Sequence, residues 1–287
     1  MKKLIERLLI FFIGVPLVIG LVIYLPFKHN LALNLVVIFF SAAGAYEFSA
    51  MLEKKLIRIP KFESVLLGMS GPLAVTLHVN FALPSWVIIV IIMTGFGWAL
   101  LSGILSRSSE IENIIKKIVC RYSLLIYPGF FMIWLVFMSA WGNPAAILLF
   151  LVITFGNDSF AWLSGTLFGA NNRGIIAVSP NKSIMGFLGG LVGAVLVAIG
   201  AVLIFPSYFP FASDVPISSN IFTAVIIGVC TGIAASLGDL AESAIKRSCD
   251  FKDSGNLMLG RGGVLDSIDS IAVAAPVFFL LYKLFFT

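Results

Sequence analysis

SLGDLAESAIKRSCDFKDSGNLMLGRGGVLDSID, residues 236–269, crowds acids, bases and glycines into one stretch of an otherwise very apolar chain. Apolar runs flank it on both sides, from about Asn220 to Leu237 and from Val264 to Phe286, each long enough to cross a bilayer. A polar segment pinned between two such runs lies at a membrane face. Any site built on it is held at the level of lipid headgroups.

The bulk composition agrees. The 287 residues are 60% hydrophobic and 11% charged, with a mean hydropathy of +1.06. A soluble domain carries about 25% charged residues, so this chain cannot cover a water-facing surface and lipid is its natural solvent. The apolar runs are continuous rather than alternating, which points to helices and away from a barrel. A pI near 9.2 fits basic loops facing anionic lipid and needs no nucleic-acid partner. Three cysteines, Cys120, Cys230 and Cys249, form no C-x-x-C, and the two histidines, His29 and His78, lie far from the polar stretch. Neither a disulfide framework nor zinc chemistry is indicated.

Read in order, the chain opens on Lys2, Lys3 and Arg7, then an apolar run to Phe27, taken as an uncleaved first span rather than a signal peptide. Further spans are expected at Leu31–Ala50, Ser64–Leu83 (with a kink at Gly71-Pro72), Pro84–Ser106, Tyr122–Ser139, Ala145–Phe168 and Ile184–Phe205, then the two runs around the polar stretch. Arg107–Arg121 has isoleucines at helical spacing beside Lys116 and Lys117; it reads as a surface-lying amphipathic helix or a simple linking helix. The expectation is an all-α polytopic integral membrane protein with about nine transmembrane helices and a cytoplasmic N-terminus. With that topology 17 of the 19 Lys and Arg fall on the inner side, leaving only Lys28 and Lys283 outside. Residues 1–143 form an N-terminal membrane region, and 144–287 the region carrying the polar loops.

Several acids then share the inner side: Glu47, Asp158, Asp239, Glu242, Asp266 and Asp269. An ionised carboxylate in hydrocarbon costs about 2.5–3.5 kcal/mol on insertion scales. A divalent cation held by several of them offsets that cost, and Mg²⁺ is the usual oxygen-ligated choice, with room for a second cation. Asp266 and Asp269 are spaced i,i+3 and share a helix face, as do Asp239 and Glu242, with Ser243 one turn beyond Asp239. The bland reading is that these acids cap helices or pair with nearby bases. Lys182, Lys246, Arg247, Lys252 and Arg261 are placed to bind phosphate, and Gly260, Gly262 and Gly263 let backbone N–H groups approach an anion. There is no Walker loop. Asn157-Asp158 interrupts the sixth span, and Ser179-Pro180-Asn181-Lys182 opens the seventh.

At these residues the chain resembles the phosphatidate cytidylyltransferases, the CDP-diacylglycerol synthases. Their C-terminal pattern is approximately S-x-x-K-R-x4-K-D-S-G followed by P-G-H-G-G-x-x-D-R-x-D. Ser243, Lys246, Arg247, Lys252, Asp253, Ser254, Gly255, Gly260, Gly262, Gly263, Asp266 and Asp269 match it. So do Gly238-Asp239-Leu240 with Glu242, and Asp158 and Ala161 with Ser179-Pro180 and Lys182. Leu259, Arg261 and Ser267 stand where the family usually has Pro, His and Arg. The resemblance implies that CTP and phosphatidate give CDP-diacylglycerol and pyrophosphate, with Mg²⁺ held by Asp158, Asp239, Asp266 and Asp269. It places Asp239, Asp266, Asp269 and Lys252 in catalysis, and Ser179, Lys182, Ser243, Lys246, Arg247, Arg261, Gly262 and Gly263 on substrate phosphates. A homodimer is compatible with it. Two other readings stay open from the residues themselves: a membrane phosphotransferase acting on a polyprenyl phosphate, and a transporter.

Overall fold

The computed structural model describes residues 14–104, 108–206, 217–258 and 262–286. Among these it is helical throughout: α1 Val15–Tyr24, α2 Phe27–Lys55, α3 Lys61–Phe81, α4 Trp86–Leu101, α5 Ile114–Leu124, α6 Ile133–Ser139, α7 Pro144–Phe168, α8 Ile184–Ile204, α9 Ile217–Ser248 and α10 Leu265–Phe286. Seven helical stretches are long and apolar enough to cross a membrane. The protein is therefore an all-α, multi-pass membrane protein. Two of the expected spans fall short of that length among the described residues. The fourth is the 16-residue α4, which turns at Ser102–Ile104; at 1.5 Å per residue it reaches about 24 Å against a hydrocarbon core of about 30 Å. The first is described only from Gly14 onward.

The stretch expected as a surface-lying or linking helix is, in its described part, continuous with the fifth span, since Ile111–Ser139 is one helical stretch. Its isoleucines Ile111 and Ile115 face outward, while Cys120, Arg121 and Leu124 are buried. It widens to a π-turn at Leu125–Gly129, around Pro128, which has no N–H to continue the ladder. The third span, conversely, continues as one α-helix through Pro72. The second begins with three left-handed residues, Lys28, His29 and Asn30, and its regular part starts at Leu31, as the apolar pattern expects.

The chain forms two compact units, Met1–Gly142 with Lys246–Ile268, and Asn143–Ile245 with Asp269–Thr287. In the first, small residues bring α2, α3 and the π-turn together. A Cβ on Gly68 would strike Ala45, and one on Gly129 would come within 2.9 Å of the Gly68 carbonyl. The buried Ser41 hydroxyl bridges that contact, its one proton shared between the Gly68 carbonyl at 2.8 Å and the Pro128 carbonyl. Ser41→Ala leaves both acceptors without that donor, and an unmade buried hydrogen bond costs about 1–3 kcal/mol. Its expected effect is a loss of that size in denaturant unfolding, with the chain still inserted.

In the second unit, Asn143 caps α7, accepting from the Ala145 N–H at 3.0 Å, with Pro144 at the first helical position. Phe278 meets Phe150 in a tilted contact at a centroid distance of 5.3 Å and stacks on Tyr282 at 5.6 Å. Glycines line the α7–α8 contact. Gly193 meets the Phe160 ring and Gly190 the Asn157 carbonyl, while Gly228 of α9 meets the α8 backbone at Val195. Lipid gives helices no hydrophobic reason to associate, so close backbone approach of this kind supplies the packing.

Candidate active site

In the first unit the polar loop is tied down by two carboxylates. Glu47 reaches in from α2 and is 4% exposed. Its oxygens accept from the Val264 N–H at 3.0 Å, the Leu265 N–H at 2.9 Å and the Ser254 hydroxyl at 3.1 Å. Val264 and Leu265 open α10, so Glu47 satisfies amides that have no partner within that helix, at its positive dipole end. Asp266 works from inside the helix. One oxygen accepts from the Gly263 N–H at 2.7 Å and the Ser254 N–H at 2.9 Å, and the other pairs with the Lys246 ammonium. The reach back from Asp266 to Gly263, three residues earlier, is half of a capping box. Ser254 joins the two acids, donating to Glu47 and accepting from the Asp266 N–H at 3.2 Å.

The glycines fit this arrangement. A Cβ on Gly255 or Gly263 would collide with the Glu47 carboxylate, and Gly262, at φ +104°, would direct one at Asp266. The anions approached by this backbone are thus two of the chain's own carboxylates. Arg247 and Lys252 are exposed at the rim, with Arg247 donating to the Phe251 carbonyl at 3.1 Å. Beside them Lys55 pairs with Asp250 at 3.1 Å and holds its carboxyl below the usual carboxylate range. Arg261 lies outside the described residues.

In the second unit, Lys182 and Asp239 form an ion pair at 2.6 Å, each about one-third accessible. Lys182 leaves the Ser179 turn, its N–H donating to the Ser179 carbonyl at 3.0 Å, and Ser183 then caps α8 through the Gly186 N–H. Gly238 lets α9 approach α10 so closely that a Cβ there would strike the carbonyl oxygen of Asp269. The segments carrying Asp239 and Asp269 are therefore neighbours. The Asp269 carboxylate accepts from the Ser270 N–H at 2.6 Å. Asn157, 2% exposed, sits where α7, α8 and α9 converge. Its amide donates to the Ser236 hydroxyl at 3.2 Å and to Asp158 at 3.5 Å, and its Oδ1 has no hydrogen-bond partner among the described residues. Glu242 and Ser243 are buried on the next turn of α9.

The residues suit a hard cation in their chemistry: aspartate oxygens, and an amide oxygen at Asn157 with nothing yet bonded to it. Two of the aspartates already hold a lysine ammonium, and among the described residues no three His, Cys, Asp or Glu side chains stand together as a metal group. The sequence reading grouped Glu47 with the inner-side acids without assigning it to the site, and gave no role to Asn157. Glu47 is legible only as a charged residue in an apolar run, and Asn157 only as a polar neighbour of Asp158.

Long apolar helices, a lysine–aspartate pair in each unit and a glycine loop wrapped around carboxylates define a polytopic membrane protein with polar residues set into its helices. The chain belongs to the cytidylyltransferase family, which it matches over residues 5–285. It is similar to the phosphatidate cytidylyltransferase of Thermotoga maritima, 29% identical over 216 residues, covering 71% of this chain and 72% of that one. The phosphatidate cytidylyltransferase of Chlamydia muridarum is 28% identical over 256 residues, 84% of this chain and 80% of the relative. The uncharacterised protein YnbB of Escherichia coli is 35% identical over 142 residues, 50% of this chain and 44% of YnbB. In several curated relatives the matched stretch is about half of the relative's own length.

Proposed function

We propose that this protein transfers the cytidylyl group of CTP to phosphatidate, giving CDP-diacylglycerol and pyrophosphate for phospholipid synthesis. The observation that carries the reading is the pairing of Lys246 with Asp266 and Lys182 with Asp239 in a membrane chain of this family. Family membership favours it over a polyprenyl-phosphate phosphotransferase or a transporter.

In the reaction an oxygen of the lipid phosphate attacks the α-phosphorus of CTP. The bond from that phosphorus to the bridging oxygen breaks, and pyrophosphate leaves with the electron pair. The nucleophile is already an anion, so no strong base is needed; the obstacle is bringing two anions together. Lys182 and Lys246, each held on an aspartate, present positive charge without an unpaired ion in the bundle. Lys252 and Arg247 at the rim, with Arg261, Ser179 and Ser243, complete the phosphate-binding set. Gly262 and Gly263 shape the polar loop. Asp158, Asp239, Asp266 and Asp269 are the residues that would hold Mg²⁺, which would supply further charge neutralisation at the transferring phosphates. The basic side of the protein faces the cytoplasm of the inner membrane, from which CTP arrives.

The test uses the purified protein in lipid nanodiscs with CTP, phosphatidate and Mg²⁺. Pyrophosphate release that requires both substrates, with CDP-lipid formed in equal amount, is the expected result. Release with a polyprenyl phosphate but not with phosphatidate overturns the substrate, and no release with either overturns the transferase.

A further inference from the structure

We propose that Glu47 is a positioning residue: its carboxylate is the built-in anion that holds Ser254 and Gly255 against Gly263, Val264 and Leu265. The inference rests on the cytidylyltransferase reading for its kinetic consequence, but not for its structural one. Three observations carry it. Glu47 comes from a helix more than 200 positions earlier in the chain and is 4% exposed. All three of its hydrogen bonds go to the loop or to the start of α10. Two glycines of the loop, Gly255 and Gly263, have room for no side chain because that carboxylate fills the space.

Two oxygens facing two N–H groups and a hydroxyl leave this helix start satisfied. Its amides are not available to a nucleotide phosphate. The phosphate contacts in this stretch therefore fall to side chains, with Lys252 and Arg247 exposed beside the loop. Glu47 touches no reacting atom. It acts through the loop, by fixing where Ser254, Gly263 and Asp266 stand relative to one another. Glu47→Gln is close in shape but presents an NH₂ to groups that are themselves donors. Glu47→Ala leaves a carboxylate-sized space lined by the same donors.

The experiment compares the full-length protein and its variants in nanodiscs by amide exchange and by steady-state kinetics. In Glu47→Gln, exchange at Val264 and Leu265 rises at least about tenfold. The kcat/KM for CTP falls about a hundredfold, the size expected of a catalytic group displaced by roughly 1 Å. In Glu47→Ala both defects appear and added formate restores both; formate does nothing for Glu47→Gln, whose side chain occupies the space. Ser41→Ala, on the same helix, lowers thermal stability but moves neither the exchange at Val264 and Leu265 nor the kcat/KM for CTP. Unchanged exchange in Glu47→Gln overturns the proposal, and so does a Glu47→Ala protein whose exchange formate leaves unaltered. If the wild-type protein makes no CDP-lipid, the exchange and formate arms still decide the role of Glu47. That result counts against the enzymatic reading alone.

Discussion

Asp266→Asn should lower CDP-diacylglycerol formation about a thousandfold while the chain remains inserted. The carboxylate is 8% accessible and its lysine partner 12%. Removing one member of a buried ion pair leaves the other charge uncompensated, at a stability cost of about 3–5 kcal/mol; the loss of turnover comes from the missing carboxylate, a thousandfold being about 4 kcal/mol on the barrier. Asparagine keeps one oxygen for the Ser254 and Gly263 amides, so the loop retains part of its anchoring. What it loses is the negative charge facing Lys246 and any hold on a cation. Lys246→Gln added to Asp266→Asn removes the stranded ammonium and should recover thermal stability. Turnover should stay low, because neither variant restores a carboxylate. Recovery of turnover in the double variant would mean that Asp266 serves only to neutralise Lys246. Near-normal product formation by Asp266→Asn alone would remove the residue from the reaction.

Gly238→Val should prevent the second unit from folding. The obstruction is backbone: the new Cβ would overlap the Asp269 carbonyl oxygen and come within 3.1 Å of the Val273 Cβ. A side chain can rotate away from such an overlap; a carbonyl inside a helix cannot do so without breaking its ladder. Overpacking costs about 1–3 kcal/mol even where neighbours yield, and more is expected here. The measurement is the fraction of protein recovered monodisperse in mild detergent, which should collapse for Gly238→Val. Gly97→Ala provides the contrast, since a Cβ there meets nothing within 4 Å, and helix propensity alone favours alanine by about 1 kcal/mol. Equal recovery of both variants would show that α9 and α10 do not depend on this close approach.

The contrast between these glycines marks what could be read in the sequence. Hydropathy located the apolar runs well, because burial in lipid acts on composition over about twenty residues at a time. It could not see that α4 turns at Ser102, nor that Ile111–Arg121 runs on into the span ending at Ser139. Those boundaries depend on packing, including Arg121, whose guanidinium nitrogen meets Glu63 of α3 at 2.5 Å. The polar stretch announced Lys246 and Asp266 through spacing alone, and Lys182 through its turn. Their pairings are tertiary: Lys182 meets Asp239 and Lys246 meets Asp266. Glu47 shows the limit most clearly. A glutamate at the end of an apolar run looks like a boundary marker, and only the fold reveals the distant amides it caps.

Those amides have a consequence for biosynthesis. Leu265 follows Glu47 by 218 positions, and a ribosome adds about 5–20 residues per second. For about 10–40 seconds after α2 leaves the exit tunnel, its carboxylate has no α10 to cap. The nascent chain must shelter that acid at the membrane interface, or in the insertion machinery, until the last span emerges. Assembly of the first unit is thus timed by the arrival of the final helix, and a stalled translation product would expose Glu47 to quality-control proteases.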